Sequence, residues 1–177
     1  GLGLLYNNIH NAMNPRQGLY SEWAFMNYNA AAGSDFNMTT YIIDNRIYRP
    51  VKENTVFATQ LYGQFTSGNP PFNMLSLMGG ESLMRGYYLG RYRDKNLVAG
   101  QVEYRILPFA FSKRWGASVF LAVGLVKATL GQALVQGHLA ALVAIDGHTR
   151  ARFLTFDTTA THFTFARTRT TANACAF

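Results

Sequence analysis

Apolar and polar residues alternate one by one over long stretches of this chain, the period of an extended strand whose two faces meet different surroundings. The pattern is clearest from Leu97 to Ile106. There Val98, Val102, Tyr104 and Ile106 fall on one face, and Gln101, Glu103 and Arg105 on the other. From Thr39 to Tyr48, Tyr41, Ile43 and Ile47 oppose Asp44 and Arg46. After a turn predicted at Arg49-Pro50-Val51-Lys52-Glu53-Asn54, Phe57, Leu61 and Phe65 oppose Gln60, Tyr62 and Gln64. Upstream, Gly1 to Asn8 and Leu19 to Ala31 flank the breaker cluster Asn14-Pro15-Arg16-Gln17-Gly18, which predicts an antiparallel hairpin, and Gly33-Ser34-Asp35 turns the chain into the next strand. Past about Lys127, Ala and Thr dominate. Ala151 to Phe156 and Thr161 to Arg167 still alternate, with weakly marked turns.

Two-faced strands suit a soluble sandwich with one wet face and a membrane barrel alike. Composition separates them. The chain is 49% hydrophobic and 14% charged, against about 25% charged in an ordinary soluble domain. Its richest apolar run, His138 to Ile145, is far short of the roughly eighteen residues a membrane helix needs. A barrel crosses with strands that show apolar residues to lipid on alternate positions only, and the mean hydropathy of -0.02 fits that. The expectation is an all-β fold, an antiparallel transmembrane β-barrel occupying residues 1–177 as one domain of 177 residues. At about twenty residues per strand and connection, the chain supplies about eight strands. Gly1 opens it without an initiator Met or a leader, as expected of a mature form, a fragment, or part of something longer.

The formal charge of +7 is spread among aromatics and turns and forms no stripe, so nucleic acid is not an expected partner. A single cysteine, Cys175, excludes an intrachain disulfide and a cysteine metal cluster. His10, His138, His148 and His162 share no ligand spacing near a carboxylate and lie in no hydrolase constellation. No metal, cofactor or enzymatic activity is expected. Trp23 and Trp115, with the tyrosines, read as interfacial girdle anchors.

Thr66 to Asn96 is rich in Gly, Pro, Asn and Arg and much longer than a hairpin connection, which marks a functional loop or one folded back on the molecule. It carries Gly79-Gly80-Glu81-Ser82-Leu83-Met84-Arg85-Gly86-Tyr87-Tyr88 and leads through Asp94 to Gln101-Val102-Glu103-Tyr104-Arg105. A guanidinium withdrawn from bulk water needs a carboxylate, and Gly86 allows a tight backbone beside Arg85. These motifs resemble the BamA/TamA superfamily, also called bacterial surface antigens. The resemblance implies that Arg85-Gly86-Tyr87 is the Arg-Gly-Phe/Tyr tip of a loop tucked into the lumen and that Glu103 is the lumen-facing glutamate. Gly79, Gly80, Asp94, Gln101 and Arg105 are the supporting positions.

Phe120-x-Ala122-x-Gly124 occupies the place of a family Phe-x-Asp-x-Gly motif. The acid is absent at Ala122, so a second carboxylate for Arg85 would have to come from elsewhere. Gly1 to Tyr6, Asn14-Pro15 and Gly18-Leu19-Tyr20 are similar to the family's strand, Asn-Pro turn and Gly-x-Tyr strand start, with Asn7 and Ile9 in place of the usual Asp and Arg. Phe177 matches the C-terminal aromatic of outer-membrane barrels, although Cys175, Asn173, Thr171 and Arg169 break the expected apolar series. The likeness covers residues 1 to about 126 and fades over 128–177.

The resemblance implies a bacterial outer-membrane location and a role in inserting or exporting β-rich proteins. The chain would be the C-terminal half of a barrel of about sixteen strands, or a small relative whose lumen is filled by side chains and the 66–96 loop. Implied partners are outer-membrane lipid, other outer-membrane proteins or unfolded barrel substrates, and further copies of the same chain. The alternative is a structural or interaction barrel subunit of an outer-membrane complex without insertase activity.

Overall fold

The computed structural model describes residues 1–106, 116–128, 138–146, 152–157 and 164–166. In chain order the strands are β1 (Leu2–Asn7), β2 (Gly18–Tyr28), β3 (Met38–Lys52), β4 (Thr55–Gly68), β5 (Ser76–Met78), β6 (Tyr92–Asp94), β7 (Asn96–Ile106), β8 (Gly116–Lys127), β9 (His138–Asp146), β10 (Arg152–Asp157) and β11 (Thr164–Ala166). Nine of them form one antiparallel meander in the order β1-β2-β3-β4-β7-β8-β9-β10-β11, while β5 and β6 pair in a separate hairpin. The meander has one strand more than the spacing suggests, because β9, β10 and β11 are packed into the Ala/Thr-rich tail at short intervals. Among the described residues no ladder joins β1 to β11.

The alternation read from the sequence maps onto two faces. Asp44, Gln60, Gln101, Glu103 and Arg105 are buried on the inner face, which the loop covers. Tyr41, Leu61, Val102, Val119, Leu121 and Val123 stand exposed on the other. Register enforces this, because cross-strand partners share a face: Asp44 lies opposite Tyr62, Gln60 opposite Gln101, and Glu103 opposite Phe120. A soluble sandwich would present the polar set to water and bury the apolar one. This sheet does the reverse, as a barrel wall in hydrocarbon must. No described helix is long and apolar enough to cross a membrane.

The turn expected at 49–54 is shorter. β3 runs on through Pro50 to Lys52 and only Glu53 and Asn54 make the turn, with the register shifting between Pro50 and Lys52. Proline has no N–H for the ladder, and an irregularity at the strand end accommodates it. Trp23 faces outward at the middle of β2, opposite Leu4 and Ile43, and not at a strand end where a girdle residue would sit. Trp115, His148, His162, Cys175 and Phe177 lie outside the described residues.

Leu61 is 55% exposed on the outer face and Gln64 part-buried on the inner one. Leu61→Arg should destabilise the protein by about 2–4 kcal/mol in unfolding titrations from lipid vesicles, whereas Gln64→Lys should cost much less. Equal tolerance of both would be incompatible with a lipid-facing outer surface.

Candidate functional site

The connection between β4 and β7 folds back onto the inner face instead of reaching outward. Proline residues 70 and 71 end β4's extension, a short 3-10 turn follows at Phe72–Met74, and β5 pairs with β6 through Ser76 opposite Asp94 and Met78 opposite Tyr92. Inside this hairpin the Gly80 N–H donates to the Tyr87 carbonyl (3.0 Å) and the Gly90 N–H to the Met78 carbonyl (3.1 Å), which closes the tip. Gly86 at φ 108° and Met84 at φ 52° both lie in the left-handed region. The first is natural for glycine. The second is a strained position for a side-chain-bearing residue, costing on the order of 1 kcal/mol, and Met84 is held there by complete burial.

An apolar pad seats the tip. Met78, Leu83, Met84 and Tyr87 from the loop pack with Leu97 and Ala99 of β7 and Phe120 and Ala122 of β8. Gly124 makes this possible. A Cβ there would stand 2.7 Å from Met78 Sδ, closer than real contacts allow, and 3.2 Å from Met84 Cγ, a tight contact. A glycine inside a strand often marks such a close approach, and Gly124 is the sequence signal that could have found the methionine pair.

Beside the pad, Arg85 Nη2 lies 2.6 Å from Glu103 Oε2, with Glu103 only 4% exposed. Arg105, two residues along β7, meets the same carboxylate through Nε at 3.0 Å from Oε1 and Nη2 at 3.0 Å from Oε2. The Arg85 guanidinium also lies over the Phe120 ring, 4.1 Å from its centroid. Because Phe120 is directly opposite Glu103 in the β7–β8 ladder, one cross-strand pair offers the arginine both a carboxylate and a π-face. At Ala122 no acid stands. The flank of Arg85 on β8 is taken by Phe120.

The other expected residues have defined places. Gln101 Nε2 donates to the Ser82 carbonyl in the loop and to Gln60 Oε1 on β4, both at 2.6 Å. Gly79 and Gly80, at φ 111° and 112°, enter the tip. Tyr87 is buried and meets Tyr92 edge-on at 5.7 Å between centroids. Asp94 does not join the cluster. Its Oδ1 accepts the Lys95 N–H at 2.8 Å, a local contact at the end of β6. Sequence reasoning put Asp44 and Gln60 each on the polar side of its own strand but did not connect them: Gln60 Nε2 donates to Asp44 Oδ1 (3.0 Å), and Arg46 pairs with Asp44 at 2.5 Å. No group of metal-ligating side chains occurs among the described residues.

With that geometry in view, comparison with known proteins is decisive at the family level: the Omp85 superfamily domain matches residues 1–136. The chain belongs to the Omp85 superfamily. Among solved structures, this Omp85 chain is similar to BamA from Haemophilus ducreyi lacking POTRA domains 1-3, with a TM-score of 0.68 and 18% identity over 88% of its own length. The match takes in 38% of the BamA chain, so the Omp85 chain described here spans well under half the length of that structure. No curated protein matches it. At that identity the likeness concerns the fold, an antiparallel outer-membrane barrel wall.

Removing one member of a buried ion pair costs about 3–5 kcal/mol. Glu103→Gln, which removes the negative charge that two guanidiniums share, should reach that range, and Arg85→Ala should cost less because Arg105 still faces Glu103. Unfolding in lipid and heat-modifiability on gels would measure both, and unchanged heat-modifiability of Arg85→Ala would sink the loop-anchoring role. Gly124→Ala should expose the 79–90 tip to protease at a cost of about 1–3 kcal/mol.

Proposed function

We propose that this chain is the loop-bearing part of a non-enzymatic outer-membrane barrel that helps β-rich proteins insert into or cross the bacterial outer membrane, with Arg85 and Glu103 locking the loop to the lumen wall. The observation that carries the reading is the docked loop: a barrel serving only as a wall has no need to hold a segment of this length against its inner face with a buried ion cluster. Membership of the Omp85 superfamily supports it, as does the fold shared with BamA. The chemistry is that of backbone supply. A substrate strand entering lipid has unpaired N–H and C=O groups, and a barrel that lends it an edge or thins the bilayer beside it lowers the cost of insertion. Outer-membrane lipid and unfolded barrel proteins are the partners this implies.

The test is a reconstitution. The full-length protein in lipid vesicles is mixed with a urea-unfolded small outer-membrane barrel, and appearance of the folded, heat-modifiable form is followed in time. Folding several-fold faster than in protein-free vesicles, and slowed by Arg85→Ala, is the expected result. Equal rates with and without the protein would reject the insertase role in favour of a structural subunit of an outer-membrane complex.

A further inference from the structure

Next to the ion cluster runs a second set of polar contacts that the sequence motifs do not explain. It starts at the Ser82 carbonyl in the loop tip, passes through Gln101 on β7 and Gln60 on β4, and ends at Asp44 and Arg46 on β3. Three strands and the loop are thereby joined by side chains at one level of the sheet, since Gln101 pairs with Gln60 and Gln60 with Arg46 in register. Gln60, Gln101 and Asp44 are all buried.

The direction of the protons along this chain is fixed from one end. Asp44 is a carboxylate paired with Arg46, so it only accepts, and Gln60 must turn its amide nitrogen toward it. That leaves Gln60 Oε1 facing β7 as an acceptor, so Gln101 must present its own nitrogen. The second proton of that nitrogen meets the Ser82 carbonyl. Turning Gln101 over would set its oxygen against two oxygens, a repulsive arrangement in a buried site. The charge on β3 therefore prepares, two strands away, a donor aimed at one backbone carbonyl of the loop.

We propose that the Gln101-Gln60-Asp44 chain is a second latch for the loop, in which Gln101 is a positioning residue and β3 sets the polarity that holds Ser82 in place. Loop docking and the order of β3 are then coupled, and by linkage each stabilises the other. The latch stands on these contacts alone and does not depend on the insertase role.

Hydrogen exchange on the full-length protein in lipid tests it, read at the Gly80 amide, whose bond to the Tyr87 carbonyl closes the tip, and at the Tyr87 amide, which donates to the Met84 carbonyl within the tip (3.3 Å). Gln60→Met interrupts the chain, and Asp44→Asn removes the charge while keeping size and a carbonyl. Neither residue's hydrogen bonds reach the loop directly. Each variant should speed exchange at Gly80 and Tyr87 about fivefold, the effect of losing one neutral hydrogen bond, with β7 and β8 protected as in the parent. If Gln60→Met does not assemble, Asp44→Asn carries the comparison, because it preserves volume. Exchange at the tip that stays at the parent rate while β3 and β4 loosen would overturn the proposal and leave Gln60 and Asp44 as merely local wall contacts.

Discussion

Glu103 is almost wholly withdrawn from water, and a carboxylate in that position is tolerable only when cations and donors replace its hydration. Both of its oxygens are used: Oε2 by Arg85 and Arg105, Oε1 by Arg105. Arg105 comes from the same strand and would stay with Glu103 whatever the loop did. Arg85 comes from the loop, so completing the shell around the carboxylate requires the loop to be docked. The ion cluster thus makes the position of a long connecting segment a condition of satisfying the buried charge in the wall.

Electrostatics alone would leave the tip free to pivot about one guanidinium. The apolar pad removes that freedom, since Met78 and Met84 descend onto Gly124 and Leu83 and Tyr87 close over β7 and β8. Methionine suits such a site because its unbranched side chain adapts to an irregular gap. The left-handed backbone at Met84 is understandable in the same terms. It lies between the pad and the ion pair, and the turn that buries its own side chain also delivers Arg85 to Glu103.

Much of this was legible in the sequence. The two-residue period assigned faces correctly at Asp44, Gln60, Gln101, Glu103 and Arg105, because in a sheet face follows from parity once register is set. The run of Gly, Asn and Pro from Thr66 identified the loop, and the Arg85-Gly86-Tyr87 motif pointed to its tip. What parity cannot supply is reach. Nothing in the spacing says that Gln101 touches Ser82 while Asp94 turns to the Lys95 N–H, since both depend on how the β5–β6 hairpin lies over the wall. The limits of β3 were misjudged for a related reason: Pro50 reads as a breaker locally, yet the ladder accommodates it with a shift in register.

The substitution at Ala122 bears on how such a cluster can vary. A second acid there would adjoin Gln101, its cross-strand partner, and would add a charge to a buried site where the Gln101 nitrogen already has two acceptors. Without it, Arg85 loses a carboxylate but gains nothing unfavourable, because the quadrupole of Phe120 attracts its guanidinium face while its edge stays on Glu103. Arginine can satisfy both demands at once, as its plane and its rim present different chemistry. Lysine could not, having a single compact charge with no flat face to stack. The wall therefore does without a second carboxylate on β8, keeps the ring and the loop's arginine, and leaves the Gln101 nitrogen to donate to Gln60 and Ser82 in the direction that Asp44 sets.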